Sequence, residues 1–206
     1  MKVVAFSDTH GRHRIINDIP DGDILIFAGD MTKHGRVNEV SDFADWMSQF
    51  SHDTKLVVAG NHDFCFDGNK REDAILELQK REIVYLENDC YQEDGVLFYG
   101  SPISATFDRY VFRDEETEFE IPEDTDVLIT HGPPKGVLDY FSGNDHGHVG
   151  SEKIKDAKQG MVLQAHVFGH IHEEHGKEVN CYNVSVLDED YNLTFRPTQF
   201  EVSSDE

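Results

Sequence analysis

Five short apolar runs, each ending in a polar cluster, constrain this chain more tightly than any other feature. "KVVAFS" (2–7) leads into "SDTHG", "DILIFAG" (23–29) into "GDMTKHG", and "KLVVAG" (55–60) into "GNHD". "DVLITHG" (126–132) and "AHVFGH" (165–170) lead in the same way into "THGPP" and "GHIH". Apolar runs this short, rich in β-branched residues and closed by Ser or Gly, are the pattern of strands buried on both faces. In an α/β sheet, ligands sit at the carboxyl ends of strands, where loops converge on one edge. Five such ends carrying Asp, Asn and His predict one site assembled from five loops.

The segments between these runs set the class. "RVNEVSDFADWMSQF" (36–50) places Val37, Val40, Phe43, Ala44, Met47 and Phe50 on one helical face, and a second helix is expected over about 69–81. "IVYL" (83–86) and "GVLFYGS" (95–101) read as further strands, and "VNCYNVSV" (179–186) with "NLTFR" (192–196) reads as a hairpin across a polar turn. No repeat, linker or break in composition divides the chain, so residues 1–206 are expected to form a single α/β domain with a more purely β second half.

Charge narrows the partners. There are 41 acidic residues against 18 basic ones, for a net charge of −23. That disfavours generic duplex nucleic-acid binding and docking on anionic lipid, and reads first as a device for solubility. "DEETEFEIPEDTD" (114–126), with eight acids in thirteen residues, reads as a solvated loop. The opening "MKVVAFSDTH" has only four apolar residues before it turns polar, which suits neither a signal peptide nor a membrane span. Three scattered cysteines fit reduced thiols, and a cytoplasmic location is expected. Nothing indicates a homo-oligomer.

The polar clusters supply metal ligands. Asp8 and His10 are two residues apart, which in extended chain sends both side chains to one face, and His170 and His172 repeat the spacing after Gly169. The carboxylate of Asp30 has two oxygens that could bridge two cations, and Asn61 and His131 add one ligand each. Asp alone would serve a turn, but His would not. Two carboxylates, one amide and four imidazoles, with no thiolate, suit manganese, iron, zinc or nickel. Two divalent cations among two carboxylates leave a pocket charged about +2, a trap for phosphate oxygens. The negative field of the rest of the chain is screened beyond about 8 Å, yet it favours a small phosphoester over a long polyanion. Of the four histidines in "HVFGHIHEEHG" (166–176), His170 and His172 are thus assigned to metal, His166 to a structural role and His175 to solvent.

In this order, "SDTHG", "GDMTKHG", "GNHD", "THG" and "GHIH" resemble the five signature motifs of the calcineurin-like metallophosphoesterases. "VVAGNHDFCFD", "LITHGPPKG" and "FRPTQFEV" further resemble the MPPED-type branch, known for cyclic-nucleotide phosphodiesterase activity. The resemblance implies a four-layer sandwich of two mixed β-sheets flanked by helices. It implies two divalent metal ions, manganese first, one held by Asp8, His10, Asp30 and His172 and the other by Asp30, Asn61, His131 and His170. A metal-bridging hydroxide would attack phosphorus in line, and His62 would be the catalytic histidine that assists the leaving group. Departures favour small phosphodiesters: Lys33 and His34 stand where protein phosphatases of the superfamily carry an Asp–Arg pair, and without an arginine clamp a doubly charged monoester loses more than a diester does. Asp63 is available to orient His62. The alternatives are a broad phosphomonoesterase or nuclease and, from another class, a non-catalytic binding module on the same fold. Phe107, Tyr110 and Phe112 read as core aromatics before base-stacking ones, and "SGNDHGHVGSEK" (142–153) as a surface loop or a cover over the pocket.

Overall fold

In the computed structural model, which describes residues 1–105, 111–114, 119–143 and 147–204, the apolar runs become strands of two large mixed sheets. The first sheet contains β1 (Lys2–Phe6), β2 (Ile24–Ala28), β3 (Thr54–Val58) and β4 (Val84–Tyr85), all parallel, with β13 (Thr198–Glu201) antiparallel to β1 at one edge. The second orders β11 (Gly176–Glu178), β12 (Cys181–Asn183), β10 (Ala165–Phe168), β7 (Val127–Thr130), β6 (Val96–Ser101) and β5 (Asp89–Glu93). Its four inner strands run parallel and its two edge strands antiparallel. A small hairpin, β8 (Tyr140–Phe141) with β9 (Gly147–His148), stands apart from both sheets.

Alternation along each strand builds the layers. In the first sheet Val3, Ala5, Ile24, Ile26, Leu56 and Val58 face the second sheet and pack on Val96, Phe98, Val127, Ile129, Ala165 and Val167. The intervening Val4, Phe6, Leu25, Phe27 and Val57 face outward and are covered by α1 (Val37–Met47) and α2 (Arg71–Gln79) through Val40, Phe43, Ala44, Met47, Ala74 and Leu78. On the far side, Tyr99 and Leu128 of the second sheet meet Ile154 of α3 (Glu152–Ala157). Helices, sheet, sheet and helix make the expected four layers. Each large side chain enclosed this way contributes about 1.5–3 kcal/mol, which is why unbroken apolar runs can be strands here.

Several expectations change. "NLTFR" forms no regular strand; it meets the preceding run through one antiparallel bridge, Leu187 with Leu193. The N–H groups of Asp188 and Thr194 do bond across to Asn192 and Val186, but the Asp188 carboxylate accepts the N–H groups of Asp190 and Asn192 and the Thr194 hydroxyl, so local turn bonds cut the ladder short. "CYN" (181–183) instead pairs antiparallel with β11 and parallel with β10. The acidic 114–126 segment is not wholly solvated, since Phe119 and Thr125 are buried. Phe112 packs against the core beneath α1 and α2, while Phe107 and Tyr110 lie outside the described residues.

Candidate metal centre

All five loaded strand ends open on the same edge of the sandwich, and their backbones are bent sharply there. Asp8, His10, Asp30 and His170 adopt positive φ of 57°, 44°, 61° and 73°. Non-glycine residues enter this region at a cost and cluster where surrounding contacts over-determine them, typically at functional sites. Asp8 and His10 are thus brought together by left-handed turns and not by the strand parity expected from their spacing. The turns are locked by N–H groups of Asp8 and His10 donating to the carbonyls of Gly29 and Asp30, both at 2.9 Å. Three glycines keep the floor open. A Cβ on Gly29 would lie 2.5 Å from His131 Nδ1, one on Gly60 would strike the Asp30 carboxylate, and one on Gly169 the Asp8 carboxylate.

The seven predicted donors converge. His10 Nε2 and His131 Nε2 each lie 3.5 Å from Asp30 Oδ2, which puts that carboxylate between them. His172 Nε2 is 3.6 Å from Asp8 Oδ1 and 3.2 Å from His10 Nε2, and Asn61 Oδ1 is 2.7 Å from His131 Nε2. The His170 ring centroid lies 5.1 Å from that of His131. Ligand atoms of three groups, Asp8–His10–His172, Asp8–Asp30–His131 and His10–Asp30–His62, lie within 4.8 Å of one another. An N/O donor set in which Asp8, Asp30 and His10 each belong to two of these groups, with glycine backbones cleared around it, fits divalent cations. The third group also includes His62, whose ring centroid is 4.8 Å from that of His10.

Outer partners fix the rings and carboxylates. His131 Nδ1 is 2.9 Å from the Ala28 carbonyl and His172 Nδ1 is 3.0 Å from the Asp188 carbonyl, so each Nδ1 donates and Nε2 turns inward. Asp8 accepts the hydroxyls of Ser7 and Ser185 and the His170 N–H. Burial opposes ionisation of Asp8, but the hydrogen bond and charge of His172 hold its carboxyl below the ordinary range. Asp30 is held down in the same way by His131. In return, and against burial, His131 is raised to about 9 by Asp30 and His172 to about 8 by Asp8. Burial lowers His10 to about 4 and His170 to about 3.

Asp63 does not orient the His62 ring. It clamps two of the loops by accepting the N–H groups of Gly60, Asp30, Met31 and Thr32 and the Thr32 hydroxyl, at 2.8–3.3 Å. Burial and the charge on Asp30 push its carboxyl up to about 7, against the pull of these donors.

The floor opens into a cleft of about 280 Å³, lined by His10, Asp30, Asn61, His62, His170 and His172 and walled by Phe141, Ile171, Glu173, Glu189 and Tyr191. Asp8 and His131 lie behind it, fully buried. The four wall residues besides Ile171, together with Ser185 and Asp188, carry no sequence signal of their own, because turns and a short hairpin bring them here. Lys33 and His34 do not reach the cleft; their N–H groups bond to Glu39. His166 is structural, buried against Thr130 and Lys158. His175 is not a solvent residue: its ring stacks on Phe195 at 4.5 Å, and Nδ1 lies 2.8 Å from the Ser185 carbonyl.

Fold, strand-end site and sequence agree on one class. Residues 1–174 match the calcineurin-like phosphoesterase family, and the chain belongs to it. It is 34% identical over 206 residues to metallophosphoesterase domain-containing protein 1 of Homo sapiens, covering 85% of this chain and 61% of that protein. A UPF0046 protein of Caenorhabditis elegans is 37% identical, with 85% of this chain and 65% of that protein covered. A probable rhamnogalacturonate lyase C of Emericella nidulans is also 37% identical over 89% of this chain, but the chain spans only 18% of its length. The fold also matches a solved crystal structure with a TM-score of 0.64 at 14% identity, over 92% of this chain and 91% of that one. The family is one of metal-dependent phosphoesterases that typically bind two divalent cations.

Proposed function

We propose that residues 1–206 act as one metallophosphoesterase domain that hydrolyses small phosphodiesters, cyclic nucleotides among them, with two divalent metal ions, manganese first. In this reading Asp8, His10, Asp30 and His172 hold one metal, and Asp30, Asn61, His131 and His170 hold the other. The observation that carries it is the meeting of three donor groups on the floor of the cleft that His62 lines. When bound, two divalent cations polarise phosphoryl oxygens and acidify water. The chain's own part is to keep Asp8 and Asp30 ionised, to turn the imidazole Nε2 atoms inward, and to supply a proton.

We assign that proton to His62. Its backbone is fixed at both ends, the N–H donating to Asp30 Oδ1 at 2.8 Å and the carbonyl accepting from the Thr32 hydroxyl at 3.2 Å. Its half-buried ring protonates the departing ester oxygen. Among the described lining residues there is no Lys or Arg, so no ammonium or guanidinium clamp meets the second charge of a monoester, and a diester suits the cleft better. Cytoplasmic residence belongs to the same proposal and rests on three free cysteines. Among the described residues no helix is long and apolar enough to cross a membrane.

The test compares manganese-dependent hydrolysis of a nitrophenyl diester, its monoester and single-stranded DNA. The diester should turn over fastest. His62→Ala should keep both metals and lose turnover by ~10²–10⁴-fold. Loss of metal in that variant would make His62 a ligand instead, as its grouping with His10 and Asp30 allows. No turnover on any phosphoester, with a partner co-purifying in stoichiometric amount, would favour the binding module.

A further inference from the structure

The walls of the cleft differ in character from its floor. Tyr191 stands edge-on to two floor rings, His10 at 4.9 Å and His172 at 5.2 Å. It is held there in a left-handed conformation (φ 62°) by the turn that Asp188 organises and by Arg12 Nη1 donating to its carbonyl. Opposite in sequence origin, Phe141 arrives on the β8–β9 hairpin. Buried Asp139 pins that hairpin by accepting the N–H groups of Gly136 and Gly150 and pairing with His148 at 2.6 Å. Ser142 ties the hairpin to Glu173, its N–H and hydroxyl both donating to Oε1 at 2.9 and 2.8 Å. Glu189, exposed in the Asp188 turn, completes the rim.

Two aromatic rings and two carboxylates, set beside the histidine-rich floor and with no Lys or Arg among the described lining residues, amount to a recognition surface for an organic cation. Aromatic faces attract ammonium groups, carboxylates add charge, and walls already pinned by local bonds lose little freedom on binding. We propose that Phe141, Tyr191, Glu173 and Glu189 form an ester-group subsite that selects phosphodiesters whose alcohol carries an ammonium group. This rests on the phosphodiesterase reading for its place in catalysis, but the subsite itself can be tested without turnover. Phosphate at the floor and ammonium at the rim would make the cleft complementary to a zwitterion and hostile to a second anionic group.

Two measurements test it. In the first, metal-free protein is titrated with choline and with its uncharged carbon isostere, 3,3-dimethylbutan-1-ol, followed by calorimetry. Choline should bind at least ~10-fold tighter, and the Glu173→Gln/Glu189→Gln double variant and Tyr191→Ala should each remove most of that preference. In the second, manganese-loaded protein is given 4-nitrophenyl phosphocholine and the matching 3,3-dimethylbutyl diester. The choline ester should show a KM ~10-fold lower at similar kcat, and the double variant should equalise the two. Equal binding of the two alcohols, or no binding of either, overturns the subsite, as do equal KM values in the unaltered protein. Selective choline binding with no hydrolysis of either ester supports the subsite and counts against the phosphodiesterase reading instead.

Discussion

At the scale of single residues, the site is governed by what is missing from its backbone as much as by what its side chains offer. Gly60 immediately precedes Asn61, and a Cβ there would drive into the carboxylate of Asp30, the group proposed to be shared by both metals. Gly60→Ala should therefore lower metal affinity by ~10–100-fold while the fold persists, measured by competition with a chelator. Unchanged affinity would mean that Asp30 has slack the contact distances deny. The donors themselves were readable from sequence because His at a strand end serves no turn. Their mechanism of convergence was not, since four of the seven occupy left-handed conformations that no spacing rule encodes. His175 was misread for a related reason: Phe195, on which it stacks, lies twenty residues downstream across an irregular loop.

At the scale of elements, unbroken apolar runs identified the strands because both faces of each sheet are covered. Phe27 shows the consequence. It is fully buried, packing edge-on against Phe6 at 5.1 Å and against Phe43 of α1 at 4.6 Å. Phe27→Ala should destabilise the protein by about 3–5 kcal/mol, read by chemical denaturation. A loss below about 1 kcal/mol would show that α1 does not rest on this sheet as described. The elements hidden from sequence were those without such a pattern. The edge strand "DCYQE" and the three-residue "GKE" are polar and form because a neighbouring edge offers them partners. The tail hairpin is reduced to a single bridge with a few cross-strand bonds, because the Asn192 N–H goes to the Asp188 carboxylate and the Val186 N–H to the Ser7 carbonyl instead of across the ladder.

At the scale of the whole molecule, acidity is concentrated in the solvent while the interior handles protons selectively. Buried His166, beside the Lys158 ammonium, is held well below its usual pKa by burial and by that charge. Because its folded pKa lies below 6.5, both states are neutral above that pH, and beneath it only the unfolded chain takes up the proton. Stability of the metal-free protein should thus fall as pH drops below 6.5, by up to about 1.4 kcal/mol per unit from this group. Urea denaturation at pH 7.5 and 5.5 should show a shallower loss in His166→Gln, and an identical loss would remove His166 from the explanation. The central claim concerns the place where five loops meet. Anomalous scattering from crystals grown with manganese tests it most directly. Two peaks should appear at the cleft floor, both beside Asp30, one flanked by Asp8, His10 and His172 and the other by Asn61, His131 and His170. No peak there, or a single one away from Asp30, would contradict the account.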